Sequence, residues 1–330
     1  MRLRPVLFVA GAAVVAWLIV RVGPGEVWQA FRTLSWRLAV IAVFPTGVVV
    51  ALDTLGWRLA FPTPPRRLGR LLGARLAGDA VNLSTPTASV GGEPVKVHLL
   101  MREVPARDAL VSVIADKTTG VVAQSLMLAA GLVVGAGLLP ARGSLFLAMA
   151  GLLAVEVLCV GGFIAVQLGG IGGRGGRLLA RLGIALGPER QAALEGVDVA
   201  LRSLYAGRRR RLAASVLCHF LAFAVATLEI YLVATFLGVA VSPATAFVIG
   251  AVGTAVRFVS FMVPGSLGAL EGGHVAVFTA FGLPGAVGLS YSLVRRLREI
   301  FWITLGFGAW AVLHRSAAQE PFVEMRTERP

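Results

Sequence analysis

The stretch Pro86-Thr-Ala-Ser-Val-Gly-Gly-Glu93-Pro-Val-Lys96 is echoed by Pro264-Gly-Ser-Leu-Gly-Ala-Leu-Glu271-Gly-Gly-His274. Each copy places a proline seven positions before a glutamate, glycines between them, and a basic residue three positions after the glutamate. The turn residues are Pro86, Gly91 and Gly92 in the first copy, and Pro264, Gly265 and Gly268 in the second. A further proline follows each, Pro105 and Pro284, and eleven to twelve residues beyond these stand Asp116-Lys117 and Arg295-Arg296. Polar segments broken by Gly and Pro are costly inside a bilayer. Paired in corresponding halves of an apolar chain, they point to a transporter's binding site.

The rest of the chain reads as membrane protein. Its residues are 57% hydrophobic and 15% charged, and its mean hydropathy is +0.81, outside the range of soluble domains. Apolar runs reach or approach the ~20 residues that a hydrocarbon core needs. They are Pro5–Val22, Trp36–Trp57, Thr119–Leu139, Leu145–Leu168, Leu212–Leu237 and Ile300–Leu313. The first is longer than a signal peptide's apolar region and lacks a good cleavage site, so it is expected to be a retained anchor.

The net charge of +14 suggests nucleic acid until the basic residues are sorted by loop. Nineteen fall before the first span, after the second, between the fourth and fifth, and after the last; only Arg21, Arg32, Arg37 and Arg142 fall in the opposite loops. That is the positive-inside pattern, with both termini cytoplasmic. The charge is therefore read as a topology signal, and Arg208, Arg209, Arg210 and Arg211 as a contact with anionic lipid headgroups. No nucleic-acid partner is expected. Cys159 and Cys218 fall inside spans, the four histidines are scattered, and no nucleotide or metalloenzyme motif is present. No metal and no cofactor are expected.

Subtracting 178 maps Leu212–Leu237 onto the second span and Ser242–Val263 onto Pro64–Thr85; one inserted residue then maps the last span into the third. The charge rule gives the second and fifth spans opposite directions, so the repeats are expected to be inverted. Between the mapped spans, Arg70–Asn82 and Pro94–Arg102 read as the two arms of a re-entrant hairpin. Ala244–Met262 and Gly273–Phe281 read as its counterpart. Pro188–Arg211 reads as one surface amphipathic helix. The expected organisation is a single domain: anchor and loop over 1–32, repeats over 33–140 and 211–316, a connecting helix and basic loop over 141–210, and a tail over 317–330.

Charges within such a protein are expensive and mark function by default. The candidates are Glu93, Lys96, Asp116, Lys117, Arg257, Glu271, His274, Arg295 and Arg296. For Glu93 and Glu271 a structural reading competes, since a carboxylate also compensates a helix N-terminus. A Glu–Lys pair three residues apart can equally be a plain ion pair. Lys96 and Lys117 are the only lysines, and both lie in the first signature segment. Ammonium can lose its proton when buried and guanidinium cannot, which makes the choice of lysine notable. Asp79 and Arg257 correspond under the offset and could pair across the repeat interface. Asp53 is expected to pair with Arg58, and Glu156 to snorkel.

These motifs resemble a known family. The first copy, the Arg102/Pro105/Asp116-Lys117 stretch and the Pro264-Gly-Ser-Leu-Gly-Ala-Leu-Glu271 form are similar to the lysylphosphatidylglycerol synthase transmembrane region, or flippase-like, family. The resemblance covers nearly all of the chain. It implies lipid translocation without the soluble aminoacyl-transfer domain of the multidomain relatives, and it does not name the lipid. The expectation is an all-α polytopic membrane protein with six full spans and two re-entrant hairpins. It would pass a polar-headgroup lipid between leaflets in a bacterial plasma membrane. Two other readings stay open: an enzyme acting on a lipid-linked substrate, and a non-catalytic partner of a separate lipid synthase.

Overall fold

A peptide group facing lipid has no water to bond, so a chain this apolar must satisfy its backbone within helices. The computed structural model describes residues 20, 24–34, 36–85, 90–139, 143–170, 187–260, 263 and 266–319, and every regular element among them is helical. The expected first span apart from Val20, the C-terminal tail beyond Gln319 and the hairpin-tip residues Pro86, Pro264 and Gly265 lie outside them.

In order, the helices are α1 (Pro24–Leu34), α2 (Arg37–Leu59), α3 (Leu68–Ser84), α4 (Glu93–Leu100), α5 (Ala106–Ala136), α6 (Ser144–Leu168), α7 (Pro188–Gly207), α8 (Arg209–Phe236), α9 (Pro243–Val259), α10 (Ala269–Ala280) and α11 (Gly285–Gln319). Among the described residues, α2, α5, α6 and α8 are long and apolar enough to cross a membrane. The chain is an all-helical polytopic membrane protein.

The repeat is visible in the packing. The same offsets carry α2 onto α8, α3 onto α9, α4 onto α10 and α5 onto α11. The first arm of each hairpin packs on the last helix of the other repeat, α3 on α11 and α9 on α5. The equivalent helices α2 and α8 pack on each other and run antiparallel. Arg37 Nη1 reaches the Phe236 carbonyl at 3.5 Å, Ser215 Oγ donates to the Gly56 carbonyl at 2.8 Å, and Arg211 Nη2 donates to that of Phe61 at 3.2 Å. Equivalent helices that span in opposite directions make the repeats inverted.

Small residues let these helices approach, as expected where lipid supplies no hydrophobic drive between them. A Cβ on Gly131 would meet that of Ala251 across α5 and α9; one on Gly306 would meet the Leu76 carbonyl and Ala80 across α11 and α3. On α6 the buried residues are Met149, Glu156, Val160 and Gln167, a single stripe, while Val155, Val157 and Leu158 face outward. Glu156 does not snorkel as expected: it is buried and accepts from Gln124 Nε2 at 3.2 Å.

Each hairpin is closed by local chemistry. Thr85 is extended (φ −114°, ψ 143°), the conformation imposed on a residue before proline, and this ends α3. Gly92 then lies so close to Gly78 that a Cβ on it would run into the Gly78 carbonyl. In the second hairpin Ser242 caps α9 by accepting from the Thr245 amide at 3.0 Å. Gly268, at φ +80°, leads into α10.

Two expected boundaries move. The span expected at Thr119–Leu139 is the second half of a 31-residue helix that starts directly after Pro105. Asp116 and Lys117 therefore sit inside continuous helix, and Arg295 and Arg296 sit likewise in α11. Pro188–Arg211 is not one helix, because the backbone breaks at Arg208 (φ −126°, ψ 35°) and the next arginines open α8. Nor does α7 lie only on the surface: Val197, Leu201 and Leu204 pack on Ala60, Val111 and Ala115.

Candidate functional site

Helical spacing builds the first polar cluster. Arg75, Asp79 and Asn82 stand on one face of α3, four and three residues apart, and the close Gly78–Gly92 approach lays α4 against that face. Lys96, only 2% exposed, sets its Nζ 2.8 Å from Asp79 Oδ1 and 3.5 Å from Glu93 Oε2. Its ammonium also lies 5.7 Å from the centre of the Trp57 ring. Glu93 accepts from Asn82 Nδ2 at 3.0 Å and from Lys117 Nζ, on α5, at 2.8 Å. Arg75 reaches Asp79 at 3.4 Å, Asp53 Oδ2 at 3.4 Å and Asp116 Oδ2 at 3.5 Å. His219, from α8, stands between Asp53 and Asp116.

The second cluster repeats one part of this design. Glu271, at the start of α10, accepts from the Gly268 amide at 2.7 Å and from Arg296 Nε, on α11, at 2.8 Å. Thus Glu271–Arg296 reproduces Glu93–Lys117: in each repeat a carboxylate on the short hairpin helix grips a base on the long helix that follows. Glu299 gathers Arg257 Nη2 at 2.8 Å, Arg295 Nη2 at 3.1 Å and Arg296 Nη1 at 2.9 Å. Arg298 pairs with Glu229 of α8. His274, the counterpart of Lys96, is buried with its Nδ1 2.8 Å from Ser292 Oγ.

All nine candidate binding residues thus fall in or beside two clusters, one per repeat. Two expected pairings do not form. Asp79 and Arg257 do not meet across the repeat interface, because Lys96 and Arg75 engage the first and Glu299 the second. Asp53 pairs with His219 and Arg75 rather than Arg58. Sequence reasoning missed His219 and Asn82 as members of the site. A histidine seven residues into an apolar helix was the available signal for the first, and an amide one turn past Asp79 for the second. The arginine run divides: Arg208, Arg209 and Arg210 are exposed, whereas Arg211 is held by the backbone at the end of α2.

The arrangement is neutralised internally without being sealed. Leaving His219 aside, Asp53, Asp79, Glu93 and Asp116 oppose Arg75, Lys96 and Lys117, one carboxylate in excess. The second cluster reverses this, with Arg257, Arg295, Arg296 and Arg298 against Glu229, Glu271 and Glu299. Lys117 and Arg257 are 39% and 42% exposed, so each cluster presents a cation at its edge. Among the described residues no group of three or more His, Cys, Asp or Glu is arranged to hold a metal ion.

Comparison with known proteins identifies the family. The family model described as the lysylphosphatidylglycerol synthase TM region matches residues 5–308. A "UPF0104 membrane protein" from Methanothermobacter thermautotrophicus is 25% identical over 325 residues, covering 93% of this chain and 94% of that protein. No solved structure matches. The chain belongs to the lysylphosphatidylglycerol synthase TM region family.

Proposed function

We propose that this member of the family moves a polar-headgroup lipid between the leaflets of a bacterial plasma membrane, with both termini cytoplasmic, and is not an enzyme. A separate lipid-synthesising enzyme would supply the lipid. One observation carries the reading: the same carboxylate–base grip, Glu93–Lys117 and Glu271–Arg296, occurs once in each of two inverted repeats, each time between a hairpin and a long helix. Taking ions out of water costs several kcal/mol each, and apolar residues of similar size often stabilise as well, so such pairs are a poor device for stability alone.

The chemistry follows from partner exchange. A headgroup phosphate reaching Lys117 or Arg257 takes the place of a protein carboxylate, and a headgroup ammonium can meet the carboxylate so released. Charge is traded between pairs and never left bare in lipid, while the acyl chains stay in the bilayer. Because the two grips lie in oppositely oriented repeats, rocking one repeat against the other would present the site to each leaflet in turn. The test is reconstitution of the full chain into liposomes carrying labelled phospholipids of different headgroups, with the outer leaflet quenched. The expected result is movement of label that empty liposomes lack. Consumption of a lipid in detergent, without movement, would replace the proposal with an enzymatic one.

A further inference from the structure

His219 has no counterpart in the other repeat. The offset places Ile41 at its equivalent position, Tyr231 at that of Asp53 and Arg295 at that of Asp116. The triad is therefore not part of the grip that both repeats share. Its geometry is specific: His219 Nδ1 lies 2.7 Å from Asp53 Oδ1, and His219 Nε2 lies 3.0 Å from Asp116 Oδ1. A neutral imidazole carries one N–H and one lone pair. Faced by a carboxylate oxygen at each nitrogen, it would set a lone pair against an anion on one side. Both contacts become hydrogen bonds only when the three groups together hold one more proton than a neutral ring between two carboxylates.

Every packed element contributes to the surroundings. From α3, Arg75 lies 3.4 Å from Asp53 Oδ2 and 3.5 Å from Asp116 Oδ2. From α2 comes Gly56, so close that a Cβ there would stand 2.9 Å from the His219 ring. From α5, Thr119 shares a hydrogen bond of 2.9 Å with Ser215, one turn before His219 on α8, where Cys218 is its neighbour. Lys96 of α4 is reached through Asp79. With Arg75 holding the outer oxygen of each aspartate, the extra proton belongs on the ring. Asp53 is the way in, since its side chain is 25% exposed and those of His219 and Asp116 are 4% and 8%.

We infer that Asp53, His219 and Asp116 form a proton-binding site whose occupancy is coupled to lipid movement. The coupling rests on the translocator reading; proton binding stands on the geometry alone. The route of the coupling is a chain of ionic contacts, Asp116 to Arg75, Arg75 to Asp79, Asp79 to Lys96, Lys96 to Glu93 and Glu93 to Lys117. A proton lost from the ring leaves Asp53 and Asp116 to share Arg75 as their cation. They compete with Asp79 for Arg75, and the competition is passed on to the grip at Lys117.

Two measurements on the full chain test this. The first is nitrogen NMR of histidine-labelled protein in lipid nanodiscs, with His219 assigned by its loss in His219→Gln. The expected ring is doubly protonated near neutral pH and releases its proton in one step as the pH is raised. A ring that is neutral throughout, or never titrates, overturns the site. The second imposes a pH gradient across proteoliposomes carrying labelled phospholipid. One proton per cycle drives leaflet asymmetry toward about tenfold per pH unit in the wild type, and His219→Gln shows no response. Movement of lipid that ignores the gradient refutes the coupling and leaves the translocator standing. No movement at all refutes the translocator, and the NMR result still decides the proton site. Should His219→Gln fail to fold, Asp53→Asn leaves the ring facing one carboxylate, and it too must lose the gradient response.

Discussion

Glu93→Gln and Glu271→Gln make one test of the paired grips, because the two glutamates occupy equivalent positions in unequal surroundings. Glutamine keeps the size and one acceptor but removes the charge. Glu271 is 1% exposed, and both its contacts are internal, to the Gly268 amide and Arg296. Removing one partner of a buried pair costs about 3–5 kcal/mol. Here Arg296 retains Glu299 Oε2 at 2.9 Å, so the loss approaches that of one charge-assisted hydrogen bond, about 1.5–3 kcal/mol. Glu93 faces Lys117, which is 39% exposed and can turn to water, and the buried Lys96 at 3.5 Å, which keeps Asp79 Oδ1 at 2.8 Å, so that loss is screened to about 1 kcal/mol or less. Glu271→Gln should therefore lower thermal stability more than Glu93→Gln by on the order of 1–2 kcal/mol. Both should abolish lipid movement. The assay is leaflet quenching in proteoliposomes beside a melting curve for each variant. If the grips only hold the hairpins, activity will fall in proportion to stability, and Glu93→Gln will stay nearly active. A folded double variant moving lipid at the wild-type rate would refute the reasoning, and so would a reversed stability order.

Other expectations follow from single contacts. Gly92→Ala should destabilise by about 1–3 kcal/mol through overpacking, while Gly69→Ala, with nothing near its Cβ, should melt as the wild type does; equal melting of both would contradict the hairpin geometry. Arg298→Leu strands Glu229 and should cost about 3–5 kcal/mol; adding Glu229→Leu should restore most of it, and no restoration would argue against the pair. Tyr205→Phe removes the hydroxyl that meets Gln167 and Thr118, which should speed amide exchange across Pro188–Gly207 without stopping lipid movement. Unchanged exchange would show that α7 is held by its apolar face alone. A cysteine at position 190 should be labelled only from the cytoplasmic side; labelling from outside intact cells would overturn the orientation.

Much of this was legible in the chain because lipid leaves few options. Apolar run length fixed α2, α6 and α8 almost to the residue, and the Pro–Gly–Glu spacing located both hairpins. The offset of 178 found the helix equivalences that the packing displays. Partners were less legible. Asp79 and Arg257 do correspond, but correspondence by a pseudo-two-fold puts residues in like places, not in contact. Asp53 was assigned to Arg58 on sequence proximity, whereas the inverted packing of α2 on α8 delivers His219 to it from 166 residues away. Hydropathy split α5 at Asp116-Lys117, because composition cannot see that these charges are satisfied by α3, α4 and α8. The break between α7 and α8 comes directly after Gly207, a helix-stop signal left unused when Pro188–Arg211 is read as one helix.

The cross-packing of the repeats also sets an order of assembly at the ribosome. The first hairpin arm, α3, is made early, yet the helix it packs on is α11, the last element described. About 220 residues separate the end of α4 from the end of α11, an interval on the order of ten to forty seconds at ordinary synthesis rates. For much of it, Arg75, Asp79, Glu93 and Lys96, soon joined by Asp116 and Lys117, must wait in or beside the bilayer without α11. Internal pairing within the first cluster lets the nascent half do this, because only His219 is still to come. The second hairpin has no such delay: α9 emerges to find α5 already in place. The ionic network of the first repeat is thus what keeps an unfinished chain tolerable to the membrane.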